Sequence, residues 1–549
     1  MKNWTLYIIV SLQFAATFLL LSVACISSNE LPPGETAKQL WWLGWTGMVY
    51  ALLMIVSLFF YRKKIKTPDY AHIVGWSLIL FGAWEAIIGL RQIYGFAYSN
   101  HSLFSLTGTF FNPGPYSGYL ALVFPICLYE YYRLKRLSST SFIAKVGHYV
   151  ALISLLLILC VLPAGMSRSS WLAAGISGLF VAWWHYDWGK QLRIYWIKNR
   201  KRFILCAATI CFCFLIGLIA IFHLKKDSAN GRLFMWRMSL EAICNSPLTG
   251  HGIGSFPTAY GEAQESFFAQ GKYAAWEEHV AGSPEYAFNE YLQIAIEWGL
   301  PVLIIGLFLV GICIYHGIRK QRIGICASLL SLGVFAFSSY PLQLPLFVAT
   351  SFVLLFACIA GINRLRLLLF SVIVGITGIY LWKTNDYKAC KQWTNVRMLY
   401  NVGAYESAKK EFIALYPILN NRTGFMFEYG RCLNKLKEYD ASNQILQETS
   451  RLTCDPMVFN IMGKNCQMNG DYEEAEKYFL RSINRLPGRI YPYYLLAKLY
   501  AEPDFLQPEK FEYTARMVME KEPKVQSTAI QEMREEVQKI RKTLLFSDP

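Results

Sequence analysis

The residues best equipped for chemistry in this 549-residue chain cluster between two apolar stretches, at about 224–290, and just beyond. Gly231-Arg232 is followed by Trp236-Arg237. Arg232 and Trp236 stand four apart, so on a helix they share a face, with Arg237 beside them. Guanidinium groups stay charged and grip phosphate with paired hydrogen bonds, which is anion-binding chemistry. Next, Gly250, Gly252 and Gly254 surround His251 and Ile253. Glycines so spaced either let backbone approach a ligand or make a tight turn. No strand precedes them, so they are no dinucleotide fingerprint. Then come His279 and Glu285, and a run from Asn289 through Glu290 to Gln293. Glu290, Gln293 and Glu297 fall at i, i+3 and i+7, one helical face leading into an apolar span. Such a stripe faces the protein interior or a wet cavity rather than lipid. His279, Glu285 and Glu290 can each take a proton.

Two upstream segments belong with these. Gly108-Thr109-Phe110-Phe111-Asn112-Pro113 and Met166-Ser167-Arg168-Ser169-Ser170-Trp171 each sit at the edge of an apolar run. Glu85 lies inside another, which marks it as a functional candidate or a partner for Arg91.

The elements that must position these residues are membrane helices. The chain is 54% hydrophobic and 16% charged, against about 25% charged in ordinary soluble domains. About 20 mainly apolar residues make one span. Eleven candidates fall at 5–27, 41–61, 72–91, 116–132, 148–164, 170–188, 203–223, 293–317, 323–339, 344–361 and 366–382, with a possible twelfth, short or re-entrant, near 98–112. The first reads as a spanning helix rather than a cleaved leader, because more spans follow. Lysine and arginine crowd the even-numbered gaps: Arg62 to Lys66, Arg133 to Lys145, Lys190 to Arg202, Arg319 to Arg322, and Arg364 with Arg366. Basic loops stay cytoplasmic. The N-terminus is therefore expected inside, and the 224–290 loop and everything after 383 outside. Arg168 breaks that charge rule, which suggests a role.

The net charge of +16 follows the same division. Residues 384–549 hold 24 basic and 22 acidic residues, and residues 1–383 the other 29 and 15. Short basic loops account for the excess, so no nucleic acid is implied. No Asp-x-Asp pair occurs in residues 1–383, which disfavours a metal, and nothing in the sequence calls for a cofactor. Most cysteines lie in apolar runs and read as small buried hydrophobes.

The tail has another texture. Gly403-Ala404-Tyr405, Lys437-Glu438-Tyr439 and Gly470-Asp471-Tyr472 recur at spacings of 34 and 33, each before an amphipathic run. That period is the tetratricopeptide signature. Such a stack is an α-solenoid whose units bury their apolar faces only against neighbours. The expected architecture is all-α, with a polytopic transmembrane bundle over 1–383 and a tetratricopeptide-like helical domain over 384–549.

The order Gly-Thr-Phe-x-Asn-Pro, Ser-Arg-x-x-Trp, Gly-Arg-x-x-x-Trp, Pro-Leu-x-Gly-x-Gly-x-Gly-x-Phe, Asn-Glu-Tyr-Leu-Gln and Glu-x-Gly-Leu resembles the O-antigen ligase and polymerase superfamily over roughly residues 100–345. The tail is similar to appendages on some bacterial members. The resemblance implies a GT-C-like helical fold in the bacterial inner membrane and metal-independent glycan transfer. The donor it implies is a polyprenyl-diphosphate glycan. The acceptor would be lipid A–core, a growing polysaccharide or a protein hydroxyl. On that reading Arg168, Arg232 and Arg237 neutralise the departing diphosphate. Trp236, Asn289, Gln293 and Asn112 line the substrate site, and the tail offers a groove for a protein partner. Many relatives carry a histidine just before the asparagine of Asn-Glu-Tyr-Leu-Gln. Phe288 stands there and cannot take a proton, so the base falls to His279, Glu285 or Glu290. A polymerase and a protein O-oligosaccharyltransferase share these expectations. A transporter or a non-catalytic assembly scaffold is the rival of another class, but a transporter is expected to show inverted repeats with broken helices.

Overall fold

The computed structural model describes the chain except residues 1, 28, 61–68, 139–140, 210–211, 213–216, 218–225, 361–362, 385 and 547–549. Among the described residues every regular element is helical and none is a strand. By contacts the chain divides into two units. The first comprises Met1–His223, Phe288–Tyr291 and Ile304–Cys390; the second comprises Leu224–Ala287, Leu292–Leu303 and Lys391–Pro549. The 224–287 loop thus groups with the tail.

Numbered along the chain, the first unit holds α1 (Lys2–Leu21), α2 (Ala37–Phe59), α3 (Tyr70–Ile93), α4 (Pro113–Lys135), α5 (Phe142–Val161), α6 (Arg168–His185) and α7 (Trp188–Lys198). The second holds α8 (Lys226–Asn245), α9 (Phe256–Ala269) and α10 (Ala275–Val280). Helix α11 (Glu290–Trp298) begins in the first unit and continues in the second. Helix α12 (Leu300–Arg319) leads back to the first, followed by α13 (Ile323–Ala336), α14 (Pro345–Ile359) and α15 (Arg364–Lys383).

Nine of the eleven expected spans each coincide with a helix, 293–317 falls on two, and most of 203–223 lies outside the described residues. Six stretches are long and apolar enough to cross a membrane; they begin at Trp4, Ala37, Tyr70, Phe142, Leu300 and Arg364. Helices α13 and α14 are apolar but shorter. The protein is an all-α, polytopic membrane protein. Two expectations change. Residues 98–112 form irregular backbone rather than a short span. The expected span 293–317 is broken at Gly299, whose φ is +83°. There a Cβ would stand 2.2 Å from the Leu248 carbonyl oxygen, so only glycine lets the loop approach.

Helix α4 carries Glu130, Arg133 and Lys135 near its close. It packs against α3, α5, α6 and α13, and Tyr116 to Val123 are all buried. A helix so enclosed does not face lipid and need not be uniformly apolar. Helices α2 and α15 cross at small residues. A Cβ on Gly378 would lie 2.8 Å from the Gly44 carbonyl oxygen. Close backbone approach of this kind drives helix association in lipid, where apolar burial drives little.

In the second unit α8 and α9 form a core of Phe234, Met238, Phe256, Tyr260, Phe267 and Phe268, to which the tail adds Cys454 and Leu486. The tail runs through α16 (Asp386–Asn401), α17 (Tyr405–Leu419), α18 (Thr423–Lys435), α19 (Tyr439–Thr449), α20 (Met457–Asn469), α21 (Tyr472–Arg485), α22 (Ile490–Tyr500), α23 (Pro508–Glu520) and α24 (Thr528–Phe546). Each tyrosine of the recurring triplets begins a helix. The residue two before it is left-handed each time: Gly403 at +83°, Lys437 at +63° and Gly470 at +86°.

Polar bonds tie loop to tail inside this unit. Glu265 of α9 pairs with Arg481 at 2.8 Å and Arg485 at 2.9 Å. Gln264 donates to the Arg485 and Gly282 carbonyls. Lys521 pairs with Glu278, and Lys524 donates to the Ala281 carbonyl at 3.0 Å.

Candidate functional site

The first unit has two ends, identified by bonds between its helices. At one end Asp69 caps α3 and pairs with Arg322 at 2.7 Å, while Trp184 near the close of α6 donates to Gln321 at 3.2 Å. At the other end lie the close of α3, the start of α4, the start of α6 and the turn before α14. The sequence-predicted residues of this unit gather there.

Helix α3 organises the Gly-Thr-Phe loop. Glu85 is fully buried and accepts from the Thr109 N–H at 3.2 Å and the Thr109 hydroxyl at 2.5 Å. Its partner is therefore Thr109 rather than Arg91. About two turns further along the same face, Gln92 accepts from the N–H groups of Thr107 and Gly108 and donates to the Gly108 carbonyl. Asn100 donates to the carbonyls of Thr109 and Phe110, both at 3.1 Å. These bonds satisfy backbone groups that would otherwise be orphaned beside apolar helices. The loop delivers Asn112 to the N-cap of α4.

Asn112 donates to the Tyr340 hydroxyl at 3.0 Å. The Phe288 ring meets Tyr340 edge-on, with centroids 5.2 Å apart. Phe288 adopts φ +47°, a conformation that costs a non-glycine residue about 1 kcal/mol or more. The left-handed turn leads into Asn289, whose side chain accepts from the Tyr291 N–H at 3.0 Å. Glu290, 2% exposed, accepts from the Leu342 N–H at 2.6 Å and the Gln343 amide at 3.2 Å. Asn112, Phe288, Asn289 and Glu290 are thus brought into one cluster around the Tyr340–Gln343 turn. Tyr340 was missed by sequence reasoning. The polar break Ser338-Ser339-Tyr340-Pro341 between apolar runs was its one signal.

Arg168 opens α6 at this same end, half-buried. Its turn is set by Met166 at φ +47° and by the Trp171 indole, which donates to the Leu162 carbonyl at 2.9 Å. The Ser167 hydroxyl lies 2.7 Å from that of Ser170. A Cβ on Gly165 would clash with Ser117 of α4, so this turn lies against the first turns of α4.

The remaining candidates lie in the second unit. Arg232 and Trp236 lie on α8, both half-buried. Arg237 pairs with Glu277 at 2.6 Å and stacks on Phe267 at 4.8 Å. Gln293 accepts from the Ala287 N–H at 3.2 Å and donates to Glu297 at 3.1 Å. The expected stripe therefore splits: Glu290 holds the Leu342 turn, while Gln293 and Glu297 bond to each other. Burial raises the Glu297 carboxyl above the ordinary range, although N–H groups of Gly254 and Phe256 bond to it. The glycine cluster wraps the end of α11: His251 N–H donates to the Ile296 carbonyl at 2.7 Å and Gly252 N–H to that of Glu297 at 3.0 Å. Its positive φ values and close approach therefore serve a turn against α11. The His251 ring nitrogen sits 2.8 Å from the Ala242 carbonyl oxygen. His279 and Glu285 are exposed.

Fold and site thus define a multi-pass helical membrane protein with Asn112, Arg168, Phe288, Asn289 and Glu290 gathered at one end of its bundle. A family model described as O-antigen ligase matches residues 153–307, the stretch that holds Arg168, Arg232, the glycine turn and Glu290. That match supports the O-antigen ligase superfamily and, in general terms, a glycosyl-transferring enzyme. No curated protein matches the chain.

Proposed function

We propose that the chain transfers a glycan from a polyprenyl-diphosphate lipid to an acceptor hydroxyl at the outer face of a bacterial inner membrane. The observation that carries the reading is the gathering of Asn112, Phe288, Asn289 and Glu290 at the end of the bundle where Arg168 opens α6. The matched family supports it.

In this reading the leaving group is a lipid diphosphate whose charge grows as the anomeric carbon–oxygen bond breaks. Arg168 meets it with a fixed guanidinium at the bundle's edge, worth two to three powers of ten in rate if it acts as an electrostatic stabiliser, about 3–4 kcal/mol. Arg232 is assigned the same chemistry by its residue type and sequence setting. Arg237, held by Glu277 and Phe267, is assigned to loop structure instead. Glu290 is assigned a supporting role, since both of its oxygens already accept hydrogen bonds. The acceptor proton then falls to His279 or Glu285, both exposed. The tail is read as a tetratricopeptide-like stack that holds the loop and offers a groove to a protein partner.

The test is transfer in cells that lack the chromosomal copy and carry Arg168→Ala, Arg168→Lys or Arg232→Ala at matched membrane levels. Arg168→Ala is expected to lower transfer about 100-fold, and Arg168→Lys to rescue it poorly, because lysine lacks the paired donors. Undiminished glycan transfer in Arg168→Ala together with Arg232→Ala would falsify the reading. Profiles of lipopolysaccharide, chain-length ladder and glycoprotein in the same strains separate ligase, polymerase and protein-transferase forms.

A further inference from the structure

The other end of the first unit carries a built polar cleft that glycan transfer does not use. Two cavities of about 210 Å³ and 270 Å³ open there and share Tyr129, Arg133 and Gln321, so they are two halves of one cleft.

The acids in the cleft are already engaged. Asp69 pairs with Arg322, which is 7% exposed and also donates to the Ala357 and Cys358 carbonyls, both at 2.8 Å. Glu130, 3% exposed, takes two hydrogen bonds from Arg133, at 2.6 and 3.0 Å, and lies 3.5 Å from the His72 ring. Lys320 and Arg136 then add positive charge at exposed positions on the rim, and no further acid lines either half. The lining Lys, Arg, Asp and Glu residues sum to a surplus of two positive charges. The 319–322 turn that presents Lys320 is braced: Gln321 sits at φ +60°, receives the Tyr129 hydroxyl on its carbonyl at 3.1 Å and the Trp184 indole on its side chain at 3.2 Å.

The surroundings place the cleft at headgroup depth. Tyr132 stacks on His185 at 4.1 Å beside it, and Trp183, Trp184 and Tyr186 are exposed in the same turn. Rings of this kind settle where lipid headgroups meet hydrocarbon. Helix α7 follows at once. No residue of it is buried, and it exposes Ile194, Trp196 and Ile197 among Lys190, Arg193 and Lys198, the make-up of a helix lying in the interface. Helix α6, 18 residues long, separates this end from Arg168 by about 27 Å.

We propose that this cleft binds the phosphate group of an anionic phospholipid headgroup, with Arg136, Lys320 and Arg133 as its contacts. Basic pockets between membrane helices recognise such headgroups through charge and hydrogen bonding. A free phosphate ion offers the same chemistry, and the experiment separates the two sources. The proposal is independent of the transfer reaction.

The full-length protein, purified in detergent, is titrated with phosphatidylglycerol, phosphatidylcholine or inorganic phosphate, with bound lipid counted by native mass spectrometry. Phosphatidylglycerol is expected to bind at least about tenfold tighter than phosphatidylcholine, and to lose about tenfold in Arg136→Ala/Lys320→Ala. Arg136→Gln/Lys320→Gln, which keeps the stems of both side chains, serves if the alanine pair folds poorly. Equal phosphatidylglycerol binding by variant and parent overturns the proposal, as does equal binding of phosphatidylcholine. Displacement of the lipid by millimolar inorganic phosphate assigns the site to the free ion and overturns the lipid as its source.

Discussion

Asn112 donates its side-chain amide to the Tyr340 hydroxyl at 3.0 Å, joining two residues 228 apart in the chain. Tyr340 in turn carries the Phe288 ring, so one bond links the loop before α4 to the turn that opens α11. Removing it leaves a half-buried hydroxyl short of a donor, a loss of about 1 kcal/mol. Asn112→Ala is expected to lower transfer several-fold with little change in membrane level. Tyr340→Phe keeps the ring under Phe288 and should cost less than Tyr340→Ala. Glycan yield per membrane-inserted protein is the measurement, and equal losses in the two Tyr340 variants count against the ring contact.

The ion-pair cluster of α9 and α21 makes a sharper stability test. Arg485 is 1% exposed and depends on Glu265 for its charge partner. Glu265→Ala leaves that guanidinium buried without its carboxylate, an expected cost of about 3 kcal/mol. Arg237→Ala should cost less, because that guanidinium is 59% exposed and screened by water, although its partner Glu277 is buried. Thermal unfolding and limited proteolysis of the purified full-length chain compare the two. Similar stability in both variants would show that the Glu265 cluster does not hold loop and tail.

Much of this architecture was legible because lipid imposes simple rules. Apolar length marked nine helices directly, and α4 tolerates charged residues because its neighbours, rather than lipid, surround it. The break at Gly299 was hidden, since composition does not report the Leu248 carbonyl that passes against it. Motif order drew attention to Asn112, Phe288, Asn289 and Glu290, and the structure gathers those four. Their organiser, Tyr340, was illegible because its role rests on contacts across 228 residues. The stripe of Glu290, Gln293 and Glu297 was right as helical geometry. Its bonding was not, because periodicity says nothing of the Leu342 N–H or the glycine turn that claim those side chains. The three triplets of the tail each set a left-handed turn before a helix.

Glu297, in the second unit, gives a pH test. Burial raises its carboxyl above the ordinary value of about 4.5, so the folded chain holds the proton more tightly than the unfolded one. The stability this group contributes is fully present below the unfolded value and is lost as pH rises through the folded one. Glu297→Gln keeps an oxygen to accept from the Gly254 and Phe256 N–H groups but does not ionise. The variant is expected to gain on the parent as pH rises from about 4.5 to 8. Unfolding temperatures across that range check it. A constant difference between the two proteins would mean that Glu297 does not titrate differently on folding.

Lys437 is the odd member of the three left-handed turns in the tail. Gly403 and Gly470 occupy the matching positions at φ +83° and +86°, where glycine carries no steric penalty, while Lys437 holds +63° with a Cβ. Its side chain therefore works against the turn by about 1 kcal/mol. Lys437→Gly removes that strain but loosens the unfolded chain, which offsets part of the gain. A net stabilisation of about 0.5 kcal/mol is expected, seen as a small rise in the unfolding temperature of the full-length protein. The companion change Gly470→Lys should destabilise by about 1 kcal/mol, because it imposes the same strain where none exists. If Lys437→Gly lowers stability as much as Gly470→Lys does, the lysine side chain is making contacts that outweigh its backbone strain, and the three turns are not equivalent.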